Sequence, residues 1–275
     1  MNRKRLDPAS SPQAAFGVRL RSAREEHGWT QEELAQRLGY SSTHVSSVET
    51  GRKPPTLRFA KSSDVAFGTG DMFERLYRKV RNSGLLEGFP QFVEREAEAV
   101  EIRLYEVGVV PGLLQTEEYA TVLAESVVRR GAISEEQAEE RVTLVAERQA
   151  ALVRTPSPWV FAVLDESCLR LSVGAPDVMR AQLDRLLDFA ELPNTTLQVA
   201  PFAMGERRTI RLPLYILTLP DRSLLSYAES AQQGHLERDN AFVVPLLTAY
   251  HQLQADALSQ AESVALISEL RKGIP

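Results

Sequence analysis

The sequence predicts an all-α N-terminal unit joined to a larger, helix-rich α+β unit with a small sheet. Three observations lead there. Residues 16–67 carry four short helical patterns separated by turn signals. The later chain alternates long amphipathic stretches with short apolar or alternating runs such as WVFAVL, Trp159–Leu164, which have strand character. Between the two, NSGLLEGFP at 82–90 is polar, glycine-rich and ended by Pro90, the composition of a linker. The expected division is a flexible basic arm over 1–15, a helical unit over 16–81, a linker over 82–93 and the α+β unit over 94–272.

The N-terminal unit is the more explicit of the two. In TQEELAQRLGYSSTHVSSVETG, Thr30–Gly51, Thr30 is an N-cap and Glu33 stands at the third helical position, completing a capping box. Leu34, Ala35 and Leu38 form one apolar stripe, and Gly39 supplies a left-handed cap. Ser41 caps the next helix, with Tyr40 and Val45 placed as a hydrophobic staple. Val45 and Val48 turn inward and Gly51 ends the helix. Two short helices joined by a glycine-containing turn make a helix-turn-helix. A further helix is expected from Thr56 to about Ala66, and another from Asp71 to Val80.

This segment resembles the Xre/Cro/repressor type of helix-turn-helix, a lambda-repressor-like five-helix domain that binds DNA. The matching residues are Phe16, Leu20 and Arg24, then Gln31, Leu34, Ala35 and Leu38, then Val45, Ser46, Val48, Glu49 and Gly51. The resemblance implies double-stranded DNA as partner. The third helix presents Ser42, Thr43, His44, Ser47 and Thr50 as outward candidates. None is Arg or Lys, so the bidentate guanine contact is unavailable within it. Ser, Thr and His can each make single contacts to base edges or phosphates. In the family, the position of Gln31 contacts phosphate or a base edge, and Arg52 and Lys53 follow the helix within reach of the backbone. The DNA-binding set read from the sequence is therefore Gln31, Ser42, Thr43, His44, Ser47, Arg52 and Lys53.

Charge follows the same division. The whole chain carries −5, but residues 1–68 hold 11 Lys/Arg against 7 Asp/Glu, and the remaining residues hold 21 against 30. A basic head on an acidic body fits a protein whose body does not touch DNA. Arg3, Lys4 and Arg5 read first as a disordered tail rather than a groove-binding arm. One cysteine, Cys168, excludes an intramolecular disulfide framework and a cysteine-rich zinc site. A hydrophobic content of 43% and a charged content of 25% are ordinary for a globular protein. No signal-type leader and no run of about 18 apolar residues is present, so a cytoplasmic location without membrane contact is expected.

In the second unit, Gln91–Arg103 reads as helical and Tyr105–Val110 as a short strand ending at Pro111-Gly112. Helices are expected at Glu117–Val128, Ser134–Val153, Pro176–Glu191, Glu237–Ala257 and Glu262–Arg271, with a kink or boundary at Val244-Pro245. Thr195–Val199 reads as a strand, and Pro213–Leu219 with Ser223–Tyr227 as a hairpin about Pro220-Asp221. The unit also resembles the domain of unknown function that follows Xre-type heads in many actinobacterial regulators. The strings that carry the resemblance are VPGLLQTEEYA (Val110–Ala120), ERQAAL (Glu147–Leu152), VLDESCLR (Val163–Arg170), MRAQLDRLL (Met179–Leu187), TLQVAPF (Thr196–Phe202) and DALSQAES (Asp256–Ser263). FGTG, Phe67–Gly70, joins the two parts as in that family. The chain departs from the pattern at Gly174-Ala175, at Tyr227-Ala228-Glu229 and across AMGERRTIRLPLY, Ala203–Tyr215.

The resemblance implies a transcription regulator, often encoded beside a small partner protein in an antitoxin-like pair. A sequence-specific regulator, expected to act as a homodimer on two half-sites, is the first expectation. An antitoxin-like interaction module with autoregulatory DNA binding is the second, and a small-molecule sensor the third. Catalysis is not expected, since only His235 and His251 lie outside the head and neither stands in nucleophile-base or metal-ligand spacing. No cofactor and no metal is implied. Asp165-Glu166 reads first as a helix cap. Gln115, Asp165, Glu166, Arg207 and Glu229 are the candidates for a ligand or partner site, with Glu229 paired to Arg207 or Arg208.

Overall fold

The computed structural model describes residues 6–82, 85–230 and 233–274. Arg3, Lys4 and Arg5 of the expected arm, and Ser83-Gly84 of the expected linker, lie outside the described residues. The chain divides into two compact units, Met1–Leu85 and Leu86–Pro275. The first holds 15 Lys/Arg against 9 Asp/Glu, the second 17 against 28.

Among its described residues the first unit holds five helices: α1 (Pro12–Glu26), α2 (Gln31–Leu38), α3 (Ser42–Glu49), α4 (Leu57–Phe67) and α5 (Met72–Asn82). Its termini obey local chemistry. Thr30 and Glu33 form the reciprocal capping box of α2, and Gly39 closes it in the left-handed region at φ 74°. Ser41 accepts from the His44 amide at the start of α3. The expected arm is too long. Ser11 caps α1, so residues 12–15 are helical and Ala14 is buried.

The core of this unit gathers Phe16, Leu20, Leu34, Val45, Val48, Phe59 and Phe73. α1 crosses α3 so closely that a Cβ on Gly17 would sit 2.6 Å from the Val48 carbonyl oxygen. Asp64 caps α5 from α4, accepting from the Phe73 and Glu74 amides at 2.9 Å each.

The second unit is built on a sheet that has six strands among the described residues. The strands are β1 (Glu101–Glu106), β2 (Trp159–Asp165), β3 (Thr195–Ala200), β4 (Leu214–Thr218), β5 (Leu224–Glu229) and β6 (Gly234–Glu237). They lie in the order β3-β2-β1-β4-β5-β6. β1, β2 and β3 are mutually parallel, and the other pairings are antiparallel. The parallel strands need helical crossovers. These are α7 (Glu117–Arg129) with α8 (Glu135–Ala150), then α9 (Ser167–Arg170) with α10 (Pro176–Ala190).

Together with α6 (Phe89–Glu96) and α12 (Gln260–Lys272), the crossovers supply the main apolar core. Leu104, Leu164, Leu183 and Leu197 are among its buried residues. The opposite face of the sheet, with Val163, Leu214 and Ile216, is packed by α11 (Asn240–Asp256) through Val243, Tyr250 and Leu253.

Several sequence expectations need correction. The helix expected over Gln91–Arg103 starts earlier and stops at Glu96, because Glu101–Arg103 pair with β2 and β4. The second half of the expected linker is therefore helical, with Pro90 in the first turn of α6. The expected strand over Tyr105–Val110 is β1, which ends at Glu106. The long helix expected from Glu237 begins at Asn240. Asp239 caps it, and Gly234–Glu237 pair with β5 as a strand. Pro245 does not divide α11, which runs through it. Among the described residues no helix is long and apolar enough to cross a membrane.

Candidate nucleic-acid interface

At about 1.5 Å per residue, the eight residues of α3 span about 12 Å, a length that fits within the major groove. Val45, Val48 and Glu49 face the core. Ser42 and Thr43 are exposed, and Ser46, Ser47 and Thr50 are partly exposed. At about 100° per residue these five share one arc.

Ser46 is central to that arc and the sequence set omitted it. Helical spacing from Ser42 and Thr43 would have found it. The Ser47 hydroxyl donates to the Thr43 carbonyl at 2.8 Å, and the Thr50 hydroxyl to the Ser46 carbonyl at 2.7 Å. With its proton engaged, the Ser47 hydroxyl offers lone pairs, which suit the exocyclic amines of adenine and cytosine, whereas Thr50 Oγ1 also accepts from Arg52 Nε at 3.0 Å.

His44 is a correction. It belongs to the opposite side of α3, where its ring lies 4.7 Å from Tyr40 and 5.4 Å from Phe59, centroid to centroid. Its Nε2 is buried without a hydrogen-bond partner. Burial, with Lys53 nearby, holds the imidazole below its usual range. His44 therefore packs as a neutral ring and is not an outward base reader. The ring of Tyr40, expected to staple onto Val45, lies against His44 and Phe59.

Gln31 is also drawn inward. Its Nε2 donates to Glu49 Oε2 at 2.7 Å. Glu49 is fully buried and accepts from Arg24 Nε at 2.6 Å and Arg24 Nη2 at 3.1 Å. Arg21 Nε stands 3.7 Å away. Arg24 also donates to the Trp29 carbonyl at 2.9 Å. One carboxylate at the end of α3 thus ties together α1, the loop before α2, and the start of α2. Hydrogen bonding to Glu49 raises the Arg24 pKa further. The network fixes the angle at which α3 is presented.

Arg52 and Lys53 follow directly. Their amides bond the Ser47 carbonyl at 2.9 and 3.2 Å, which folds the chain back beneath α3. Arg52 is exposed and Lys53 partly so. Two cations beside a hydroxyl-lined helix are suited to phosphates.

The five candidates in the second unit do not converge. Gln115 braces a turn, donating to the Val110 carbonyl at 2.7 Å. Asp165 accepts from the Ser167 amide at 2.9 Å and pairs with Arg208 at 2.9 Å. Glu166 accepts from Arg170 at 2.6 Å and from the Phe202 amide at 2.7 Å. These two carboxylates, at the end of β2, fasten the connection that leads from β3 to β4. The expected pairing of Glu229 with Arg207 or Arg208 is not formed. Arg207 stands 3.8 Å from Asp256, and Glu229 accepts from Tyr227 at 2.9 Å. Cys168 is buried, and burial pushes its thiol well above the usual range.

Residues 15–76 match the family model described as a helix-turn-helix domain, which supports DNA binding. Residues 89–269 match the model of a domain of unknown function, DUF5753. No curated protein and no solved structure matches the chain. The second match spans well over half of the sequence, so the chain belongs to the DUF5753 family and carries a helix-turn-helix domain ahead of that family's own domain.

Proposed function

We propose that this protein is a sequence-specific DNA-binding transcriptional regulator of Xre type, which acts in the cytoplasm as two copies on two half-sites. The observation that carries this is the presentation of α3. Ser42, Thr43, Ser46 and Ser47 lie outward, Arg52 and Lys53 flank them, and a buried carboxylate network holds the helix in place. The hydroxyls read base edges, while the cations and the net positive unit supply affinity that does not depend on sequence. The larger unit senses a partner or effector and performs no catalysis.

One observation favours the antitoxin-like reading of that larger unit. α7 and α8 enclose a groove of about 660 Å³ floored by Ala124, Ala138 and Val142 and lined by Glu117, Glu125, Glu135 and Glu139 together with one cation, Arg129, 3.7 Å from Glu125. Its charge suits a basic partner protein.

The test is a gel shift of the full chain on its own upstream DNA against random DNA at two salt concentrations. Selective retention that weakens with salt is the expected result. Equal retention of both DNAs would overturn the assignment of a sequence reader.

A further inference from the structure

We propose that the groove between α7 and α8 seats one helix of a partner protein, an amphipathic helix of two to three turns with Lys or Arg along both flanks. The inference deepens the antitoxin-like reading of the larger unit and rests on it for the partner's role. The groove itself is defined by geometry and charge.

Its lining runs from Glu117 to Arg129 along α7 and from Glu135 to Thr143 along α8. At about 100° per residue, the lining positions of each helix fall within an arc of about 140°. Each helix therefore turns one continuous stripe to the groove. The stripe on α7 is about 18 Å long and that on α8 about 12 Å. Ala124 and Ala138 are buried along the middle, and Val128 and Val142 are partly exposed beside them. Two methyl side chains let the backbone of a third helix approach closely, and the valines add apolar contact. An extended peptide would find no partners here for its amides and carbonyls, because α7 and α8 use their own backbone groups internally. A helix satisfies its own, and two to three turns match the length of the stripes.

Charge selects the occupant. Glu117, Glu125, Glu135 and Glu139 are exposed in the lining, and Arg129, 3.7 Å from Glu125, is its one cation. The hairpin as a whole, residues 117–143, holds 7 Glu against 3 Arg. Nucleic acid and anionic small molecules are repelled by such a surface. The carboxylates are spread along both stripes, and among the described residues no group of three or more His, Cys, Asp or Glu could hold a metal ion. An apolar ridge with cations on either flank complements both the floor and the sides. A second copy of this chain is a poor occupant. Its larger unit is acidic, and its basic helix α5 buries Phe73, Tyr77 and Val80 in the core of the first unit. Ion pairs with exposed carboxylates are weak singly, but together they steer the encounter and make it sensitive to salt.

The experiment uses the full chain and a labelled synthetic peptide of about 14 residues, with Ala and Leu on one helical face and Lys on both flanks, read by fluorescence anisotropy. Micromolar binding that weakens with salt is the expected result. A peptide of the same composition, reordered so that no apolar face forms, should bind at least tenfold more weakly. Glu125→Lys with Glu139→Lys should cost at least tenfold as well. Asp188→Lys with Glu269→Lys makes the same change in net charge on α10 and α12 and should cost less than twofold. All four positions are exposed, so both double variants should keep an unfolding temperature within a few degrees of wild type. Cys168 is buried, so a dye on Thr143→Cys reports the groove and a dye on Leu171→Cys an exposed site outside it. The peptide should shift the emission of the first and not of the second.

No binding at low salt, equal binding of the ordered and reordered peptides, or equal loss in the two double variants would overturn the proposal. A titration with the small protein encoded beside the gene separates it from the reading beneath it. If the peptide seats in the groove and that protein does not bind, the antitoxin-like reading fails and the groove stands. If that protein binds wild type and the Glu125→Lys, Glu139→Lys chain equally, the groove fails and the reading stands.

Discussion

Glu49→Ala is the sharpest perturbation available in the head. The Glu49 side chain is fully buried, and that of its partner Arg24 is 11% exposed. The substitution removes an acceptor from Arg24 at 2.6 and 3.1 Å and from Gln31 at 2.7 Å. It leaves the Arg24 guanidinium in a largely buried site with only the solvent-exposed Glu25 carboxylate, 3.4 Å away, as counter-charge, and about 3–5 kcal/mol is the expected cost. A unit of this length has a total stability of about 4–13 kcal/mol. At about 4–8 °C per kcal/mol for a domain of this size, the unfolding temperature should fall by roughly 12 °C or more.

The assay can be confined to the head. Of the two tryptophans, Trp29 belongs to it, and Trp159→Phe leaves Trp29 as sole reporter. Trp29 stacks on Phe67 with ring centroids 5.4 Å apart, so its emission should respond to unfolding of the head. A double variant, Arg24→Met with Glu49→Leu, should recover much of the loss, because it removes both charges and fills the same volume. A fall below about 4 °C for Glu49→Ala, or a double variant no better than the single, would refute the claim that this ion pair holds the three helices together.

Further predictions follow from the same geometry. Arg52→Ala and Lys53→Ala should each weaken binding to all sequences alike and lower the slope of log affinity against log salt by about one, measured by titration at several salt concentrations. Ser46→Ala should instead reduce the preference for specific over random DNA and leave the slope unchanged, as read by competition gel shift. His44 has a lowered pKa through burial, so the unfolded chain binds more protons than the folded one below about pH 6.5. Head stability should therefore drop as pH falls through that window, and His44→Phe should flatten the dependence in urea melts.

Glu106 shows the opposite sign. Burial raises its pKa to about 7. Its contribution is complete below about pH 4.5 and is lost as pH rises towards 7, by about 3 kcal/mol at most. Glu106→Gln should remove that slope from the second unit. Gly17→Ala should destabilise the head by about 1–3 kcal/mol despite its better helix propensity, because the added methyl meets the Val48 carbonyl oxygen at 2.6 Å. A urea midpoint at or above that of wild type would contradict it.

What the sequence determined by itself is local chemistry. The capping box at Thr30 and Glu33, the left-handed Gly39 and the Ser41 cap are set within a few residues, so their spacing is enough to locate α2 and α3. The apolar run Trp159–Leu164 became a central strand with parallel neighbours, as its length and lack of polar alternation suggest. β6 escaped because Gly234–Glu237 has almost no apolar pattern. It is a strand because β5 offers it an edge.

Only the tertiary structure decided the roles of polar side chains. His44 turned inward because Tyr40 and Phe59 form a ring-lined site beside α3, and Ser46 took its place on the outward arc. Glu49, Arg24 and Gln31 lie far apart in sequence and meet at one carboxylate. Arg208 found Asp165 rather than Glu229 because the connection after β3 passes over the end of β2. Hydrophobic periodicity and caps act over one or two turns of helix and can be read along the chain. Which partner satisfies a buried charge depends on contacts between distant segments, and these exist only once the core has brought those segments together.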